Sequence, residues 1–195
     1  MNIGILLFHE VNEFDVVIPY SILRNAVNAA NRAEEVHVFT LAKSRNSVQT
    51  SNDLTITPLY AFASAPPLDM LIVPGGRGID KALRDRAVAA YLPSVIPSLK
   101  LSIGISSGAL LLGHYGLLRG MAATTHPDLY ERLEDYEVLR VVNERIVEDD
   151  KVWTCNGSSA AMELAFGLAT LLFGDEVGQK VKQLLNVEIS QGQLF

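Results

Sequence analysis

The stretch that decides the fold is residues 101–110, LSIGISSGAL, in which an apolar run leads into two serines between two glycines. A short, continuous apolar run is typical of a strand that is buried on both faces, as in a parallel sheet. We therefore predict a strand over residues 101–105, a turn at Ser106 and a helix over residues 107–115. The turn has the G-x-S-x-G pattern of a nucleophile elbow, which lifts its central side chain clear of the sheet. The alternative is an ordinary tight turn with a serine capping the helix.

Strands and helices alternate on both sides of this turn. Apolar runs predict strands over residues 3–8, 36–41, 68–73, 122–125, 138–142, 145–147 and 152–155. Helical spacing predicts helices over residues 16–31, 79–86, 87–99, 128–135, 158–173 and 176–185. A hairpin around Asn52 and Asp53 is expected at the edge of the sheet. This alternation predicts an α/β fold, a doubly wound, mostly parallel sheet sandwiched by helices, with residues 1–195 as a single domain.

Composition excludes several classes of protein. The chain has 195 residues, of which 49% are hydrophobic and 19% charged, which is typical of one globular domain. Its formal net charge of −6 argues against a nucleic-acid partner, because phosphate binding needs clustered Lys and Arg. Apolar runs fall short of the ~18 residues that a membrane span needs, and the N-terminus lacks the basic region of a secretory signal. We therefore predict a cytoplasmic protein with no membrane partner.

Two further segments follow predicted strands, at the sheet edge where ligands bind in open α/β folds. Gly75 and Gly76 follow Pro74, and paired glycines allow N–H groups to point into a site, although an ordinary turn is the alternative. Asp15 lies where the chain after the first strand becomes apolar again, so its carboxyl is expected to be partly buried. Burial would raise its pKa and let it hold or deliver a proton, whereas the alternative is a helix N-cap.

Two weaker candidates are His126 and Cys155. His126 follows a predicted strand soon after the elbow helix and could approach Ser106, although a lone histidine is more often a structural residue. Cys155 is the single cysteine of the chain, so the sequence contains neither an internal disulfide nor a cysteine-rich zinc site. Because it lies in a predicted apolar strand, we expect a buried and unreactive thiol. We predict no cofactor and no metal.

Together these motifs resemble the ThiJ/PfpI superfamily, which has a class I glutamine amidotransferase-like, flavodoxin-like fold. The resemblance spans nearly the whole chain and is carried by residues 7–19, 74–76, 106–110 and 116–126. The first and last of these stretches look most like the isocyanide hydratase branch. The α/β-hydrolases share the elbow, but their histidine follows a late acidic residue, and in this chain no histidine follows His126.

The resemblance implies roles for individual residues. Ser106 occupies the position of the family's cysteine nucleophile, and Asp15 matches the acid that hydrogen-bonds to that nucleophile. The N–H groups of Gly75, Gly76 and Ser107 match the oxyanion hole, and His126 is kept as an auxiliary group. The resemblance also implies a homodimer that acts on a small molecule, either adding water to a small electrophile or hydrolysing it. Glyoxalase, deglycase or amidase activity, and an inactive binding or sensor module, are the alternatives.

The serine at position 106 is the main departure from the family pattern. A helix N-terminus can lower the pKa of a thiol, whereas a serine hydroxyl needs an adjacent general base. Three explanations stay open: a natural loss of activity, a true serine mechanism, or an engineered Cys→Ser replacement. Redox sensing would require a cysteine at the elbow.

Overall fold

The computed structural model describes residues 1–187, so the last eight residues of the predicted domain lie outside the described residues. The strands are β1 (Asn2–Leu6), β2 (His37–Ala42), β3 (Val48–Gln49), β4 (Thr55–Ile56), β5 (Tyr60–Ala61), β6 (Met70–Val73), β7 (Leu101–Ile105), β8 (Ala122–Ala123), β9 (Arg140–Val141), β10 (Ile146–Asp149) and β11 (Val152–Cys155). The helices are α1 (Glu13–Ala29), α2 (Ile79–Leu83), α3 (Arg86–Val95), α4 (Gly108–His114), α5 (Tyr130–Glu134), α6 (Ser158–Phe173) and α7 (Asp175–Leu184).

A seven-stranded sheet forms the centre of the fold, in the order β10-β11-β7-β6-β1-β2-β5. All neighbours are parallel except β10, which pairs antiparallel with β11 at one edge. The apolar runs predicted as strands are buried, and every residue of β6 and β7 is inaccessible or nearly so. The predicted doubly wound α/β fold is confirmed. The central strands β1, β6 and β7 are parallel neighbours, so their carboxyl ends lie side by side.

The predicted hairpin forms, but its expected place at the edge of the main sheet is wrong. Strands β3 and β4 make a separate two-stranded sheet, and β5 is the strand that pairs with β2. The reason is that backbone groups of the hairpin form hydrogen bonds with the loop that follows β1. Glu10 N–H donates to the Gln49 carbonyl at 2.8 Å, and Ser51 N–H donates to the Val11 carbonyl at 2.8 Å. The hairpin therefore covers the loop that follows β1.

Helix α1 begins three residues earlier than its apolar spacing predicts. Asn12 caps it, since its side-chain oxygen accepts the Phe14 N–H at 3.1 Å. Asp15 is consequently a residue of the first helical turn, and the alternative role of N-cap is excluded for it. This position turns the Asp15 carboxyl towards the carboxyl end of β6.

Candidate functional site

Ser106 lies in a strained turn between β7 and α4. Its φ is +53°, a conformation that non-glycine residues adopt rarely and at a cost of order 1–3 kcal/mol. Two hydrogen bonds join the turn to distant parts of the chain: Ser106 N–H donates to the Cys155 carbonyl at 2.8 Å, and the Thr125 hydroxyl donates to the Ser106 carbonyl at 2.8 Å. The Ser106 side chain itself is half-buried and makes no hydrogen bond to any residue among 1–187. The turn therefore presents a hydroxyl that has no hydrogen-bond partner among these residues.

Close packing of α4 against β6 brings the second predicted segment to this turn. A Cβ on Gly108 would lie 2.0 Å from the Val73 carbonyl oxygen, so only glycine permits the approach. Pro74, Gly75 and Gly76 continue from Val73 and so lie beside the elbow. The elbow and the glycine pair therefore form one site.

The N–H groups of Gly75 and Gly76 already have acceptors in this site. Gly75 donates to Asp15 Oδ2 at 3.0 Å, and Gly76 donates to Ser107 Oγ at 3.0 Å. In this arrangement neither glycine N–H is free to bind a ligand, and the oxyanion hole expected at both glycines stays a prediction. Of the three predicted donors, the Ser107 N–H is the one without an acceptor among residues 1–187.

The Asp15 carboxyl is fully buried, beyond the partial burial that the sequence predicts. Burial raises the pKa of Asp15, and the nearby Glu13 charge adds to this, while the hydrogen bonds from Ser158 and Gly75 oppose it. The Ser158 hydroxyl donates to Asp15 Oδ1 at 2.6 Å, and the Gly75 N–H donates to Asp15 Oδ2. The expected hydrogen bond between Asp15 and Ser106 is therefore replaced by these two. The side chains are nevertheless neighbours, since Asp15 Oδ2 and Ser106 Cβ each lie 3.0 Å from where a Gly75 Cβ would be.

Two residues of the site, Ser158 and Asn12, were missed by sequence reasoning. The sequence places Ser158 at the start of an apolar helix, where its simplest role is capping. In the fold, Asn12 Nδ2 donates to Ser158 Oγ at 3.4 Å, and Ser158 donates in turn to Asp15. Ser158 and Asp15 are 143 residues apart, so no local pattern could have paired them.

A second buried carboxyl, Glu13, links α1 to the hairpin. The Asn52 amide donates to Glu13 Oε1 at 2.6 Å. Burial raises the pKa of Glu13, but hydrogen bonds, chiefly the one from Asn52, outweigh it and hold the pKa below its usual value. Glu13 is therefore a buried carboxylate beside the carboxyl of Asp15, whose pKa it helps to raise.

His126 and Ser106 share a cleft but do not contact each other by a hydrogen bond. The cleft has a volume of about 550 Å³, and most of the residues that line it have polar side chains: Asn12, Ser51, Asn52, Gly76, Arg77, Ile79, Asp80, Ser106, Ser107, His126, Leu129 and Arg132. The His126 side chain is 49% exposed, and its Nδ1 accepts the Asp128 N–H at 3.3 Å. Its position in the cleft agrees with the prediction that His126 could approach Ser106. The hydrogen bond from the Asp128 N–H orients the imidazole ring.

Cys155 lies at the end of β11, directly next to the elbow, and its side chain is fully buried. Burial, with the neighbouring Asp15 carboxyl, raises the pKa of the Cys155 thiol to about 12. A thiol with that pKa carries almost no thiolate at neutral pH, so it is not a nucleophile.

Among residues 1–187, no three His, Cys, Asp or Glu side chains lie together in a way that could hold a metal ion. Within the same residues, no helix has both the length and the apolar character that crossing a bilayer requires.

Comparison with known proteins identifies relatives over nearly the whole chain. Residues 1–171 match the DJ-1/PfpI family. The chain is 30% identical over 182 residues to an isonitrile hydratase from Pseudomonas putida, covering 93% of this chain and 76% of that protein. It is 28% identical over 182 residues to a Parkinson disease protein 7 homolog from Danio rerio, covering 91% and 93%. A ThiJ/PfpI family protein from Pseudomonas syringae superposes with a TM-score of 0.88 at 23% identity, covering 97% of this chain and 76% of that one.

Proposed function

Since the chain belongs to the DJ-1/PfpI family, we propose that its Ser106 cleft adds water to, or hydrolyses, a small electrophilic molecule. The observation that carries this proposal is the strained, uncommitted Ser106 hydroxyl beside a fully buried carboxyl of raised pKa. Such a carboxyl is suited to hold a proton and to return it during a reaction. An isonitrile is the favoured substrate class, because the relative from Pseudomonas putida is an isonitrile hydratase.

In the proposed reaction, Ser106 is the nucleophile and Asp15 carries the proton. Ser106 Oγ bonds to the terminal carbon of the isonitrile, and the hydroxyl proton passes through Asp15 to the same carbon, which gives an imidate ester. Water then adds to that carbon, the nitrogen takes up a proton, and the bond to Oγ breaks, which restores the serine and releases a formamide. The net change is the addition of one water to one isonitrile, and the Ser107 N–H stabilises charge that develops near the reacting carbon.

The same geometry predicts that the serine reaction is slow. A carboxyl is a weak base for an alcohol, and no stronger base hydrogen-bonds to Ser106 among the described residues. A thiol at this position would ionise far more readily, since its ordinary pKa is ~8.5. Replacing Ser106 with cysteine is therefore expected to raise the rate.

The experiment is a turnover assay on a panel of isonitriles, methylglyoxal and small amides, with product detected by mass spectrometry. The unmodified chain is compared with Ser106→Cys, with Ser106→Ala, and with Ser159→Cys, which places a thiol on the exposed neighbour of Ser158 as a matched control. We expect turnover by the unmodified chain, more by Ser106→Cys, and none by Ser106→Ala beyond background. Absence of turnover by both the unmodified chain and Ser106→Cys would reject the enzyme proposal.

A second candidate function is a module that binds a small ligand without transforming it. The engaged N–H groups of Gly75 and Gly76 favour it, because they leave fewer donors to stabilise a reaction intermediate. A compound from the same panel that raises the melting temperature and is recovered unchanged would support this candidate. Chemical conversion of the compound that binds most tightly would exclude it.

We propose further that two copies of the chain pair through one face of α1. Phe14 is 60% exposed and Val17 is 51% exposed, and the two residues are three apart, so they lie on the same face of the helix. Leu54, in the hairpin that Glu13 and Asn52 link to α1, is 57% exposed and extends this apolar area. A second copy is the proposed occupant, because a homodimer is what the family resemblance implies. A single domain over residues 1–195 and a cytoplasmic location complete the proposal.

A further inference from the structure

We propose that the Ser106 cleft selects substrates that carry a carboxylate, and that Arg77 is the side chain that binds this group. The inference rests on the proposed function of the cleft as an active site, and it names the class of substrate. It also designates Arg77 as a specificity-determining residue.

Arg77 lies next to the reacting centre along the chain. It follows Gly76, whose N–H donates to Ser107 Oγ, and its own N–H donates to Ser51 Oγ at 3.2 Å. Both backbone bonds anchor the residue, while its side chain is exposed and the residue borders the same cleft as Ser106. The guanidinium is therefore carried by a fixed backbone beside the Ser106 cleft.

The acidic groups around the cleft already have partners of their own. Glu10 pairs with Lys81 at 2.6 Å, Asp80 pairs with Arg132, and the buried Glu13 carboxylate accepts the Asn52 amide at 2.6 Å. Arg77 is close enough to Glu10 to contribute to the lowering of its pKa, but the Lys81 ammonium is the main cause and holds that carboxylate. Within residues 1–187, Arg77 itself forms no ion pair.

The cleft consequently has a positive charge without a counter-ion in a chain whose net charge is −6. Two arginines and one aspartate border it, and the aspartate neutralises only Arg132. An arginine guanidinium offers paired N–H donors whose spacing matches the two oxygens of a carboxylate. A neutral substrate would leave these donors to water, whereas a carboxylate-bearing substrate would use them, so the anionic substrate binds preferentially.

The experiment compares isocyanoacetate with its methyl ester, in which a methyl group removes the carboxylate charge. Turnover of both is measured with the unmodified chain, with Arg77→Gln, and with Arg140→Gln, which removes another exposed arginine, outside the cleft. Binding of N-formylglycine and of its methyl ester, the hydration products, is measured in parallel by titration calorimetry. The product experiment requires no chemistry, so it is independent of whether the chain is an active enzyme.

We expect the unmodified chain to favour the carboxylate over the ester, and Arg77→Gln to lose roughly tenfold in kcat/KM and affinity for the carboxylate alone. Arg140→Gln should keep the preference of the unmodified chain, and added salt should weaken carboxylate binding in the unmodified chain. Equal affinity of the unmodified chain for N-formylglycine and its ester, or an unchanged preference in Arg77→Gln, would overturn the inference. If N-formylglycine binds through Arg77 but neither substrate is converted by the unmodified chain or Ser106→Cys, the proposed reaction fails and the carboxylate site stands.

Discussion

The Ser158 hydroxyl should control how the buried Asp15 carboxyl changes the stability of the fold with pH. Ser158→Ala removes the 2.6 Å hydrogen bond to Oδ1 and leaves the one from Gly75 N–H. A hydrogen bond to a charged group contributes about 1.5–3 kcal/mol, and one between neutral groups about 0.5–1.5 kcal/mol. The substitution is therefore expected to cost about 1 kcal/mol where Asp15 is protonated and about 2 kcal/mol where it is ionised.

The direction of the pH dependence follows from the raised pKa of Asp15. Because the folded pKa lies above the unfolded value, the protonated carboxyl favours the fold. Its contribution is complete below the ordinary aspartate pKa of 3.8 and is lost as pH rises through the folded pKa. Ser158→Ala takes away a bond that opposes the shift, so it raises the folded pKa further. The cost of the substitution should therefore grow with pH by about 1 kcal/mol.

Urea unfolding between about pH 4 and about pH 8 measures this difference directly. Ser159→Ala, on the exposed neighbouring residue, is the control for loss of a serine in the first turn of α6. Asp15→Asn removes the titrating group, so Ser158→Ala in that background should cost the same at every pH. A cost of Ser158→Ala that is equal at both ends of the range, or a growing cost that persists with Asn at position 15, would refute the reasoning.

Three further predictions concern packing, reactivity and assembly. Gly108→Ala should lower the free energy of unfolding by about 3 kcal/mol in thermal denaturation, because its Cβ would lie 2.0 Å from the Val73 carbonyl oxygen. Gly167→Ala is the matched control: nothing lies within 4 Å of the new Cβ, so this substitution should stabilise α6 by up to about 1 kcal/mol. Cys155 should resist iodoacetamide in the native protein near neutral pH and react after unfolding, as mass spectrometry would show, since burial raises its thiol pKa to about 12. Phe14→Glu should convert a dimer into a monomer in sedimentation velocity, because it puts a charge into the apolar face of α1; an unchanged dimer would place the interface elsewhere.

The identity of the residue at the elbow has a consequence for how the site can be used. The strain at Ser106 and the glycine at position 108 are demanded by the turn and by its packing, whatever side chain stands at the centre. A serine in this turn retains the shape of a nucleophile site while removing the readily ionised thiol. The proposed enzyme therefore depends on Asp15 for proton transfer to a greater degree than a thiol enzyme would.

Local chemistry explains how far the sequence alone predicts this protein. The order of strands and helices follows from apolar runs and helical spacing, and the turn at Ser106 follows from a glycine-flanked motif between a buried strand and a helix. The predicted bounds of β7 and α6 match the structure: the turn at Ser106 ends β7, and a glycine flanks each end of α6. The start of helix α1 is predicted three residues too late because two residues that can cap a helix, Asn12 and Asp15, precede the residues whose apolar spacing predicts it, and the first of them is the cap.

Tertiary structure alone decided which groups in the site bond to one another. The sequence brings Asp15, Gly75 and Ser106 to the same edge of the sheet, because the carboxyl ends of parallel strands meet there. It does not indicate that Ser158 takes one oxygen of Asp15 or that Gly75 takes the other, since these contacts join α1 to α6 and to the end of β6. Periodicity and turn chemistry act between residues a few positions apart, whereas the partner of a buried polar group depends on which distant elements pack against it. The elbow and the raised pKa of its acid were therefore predictable from the residues around them, whereas the hydrogen-bond partners of that acid were not.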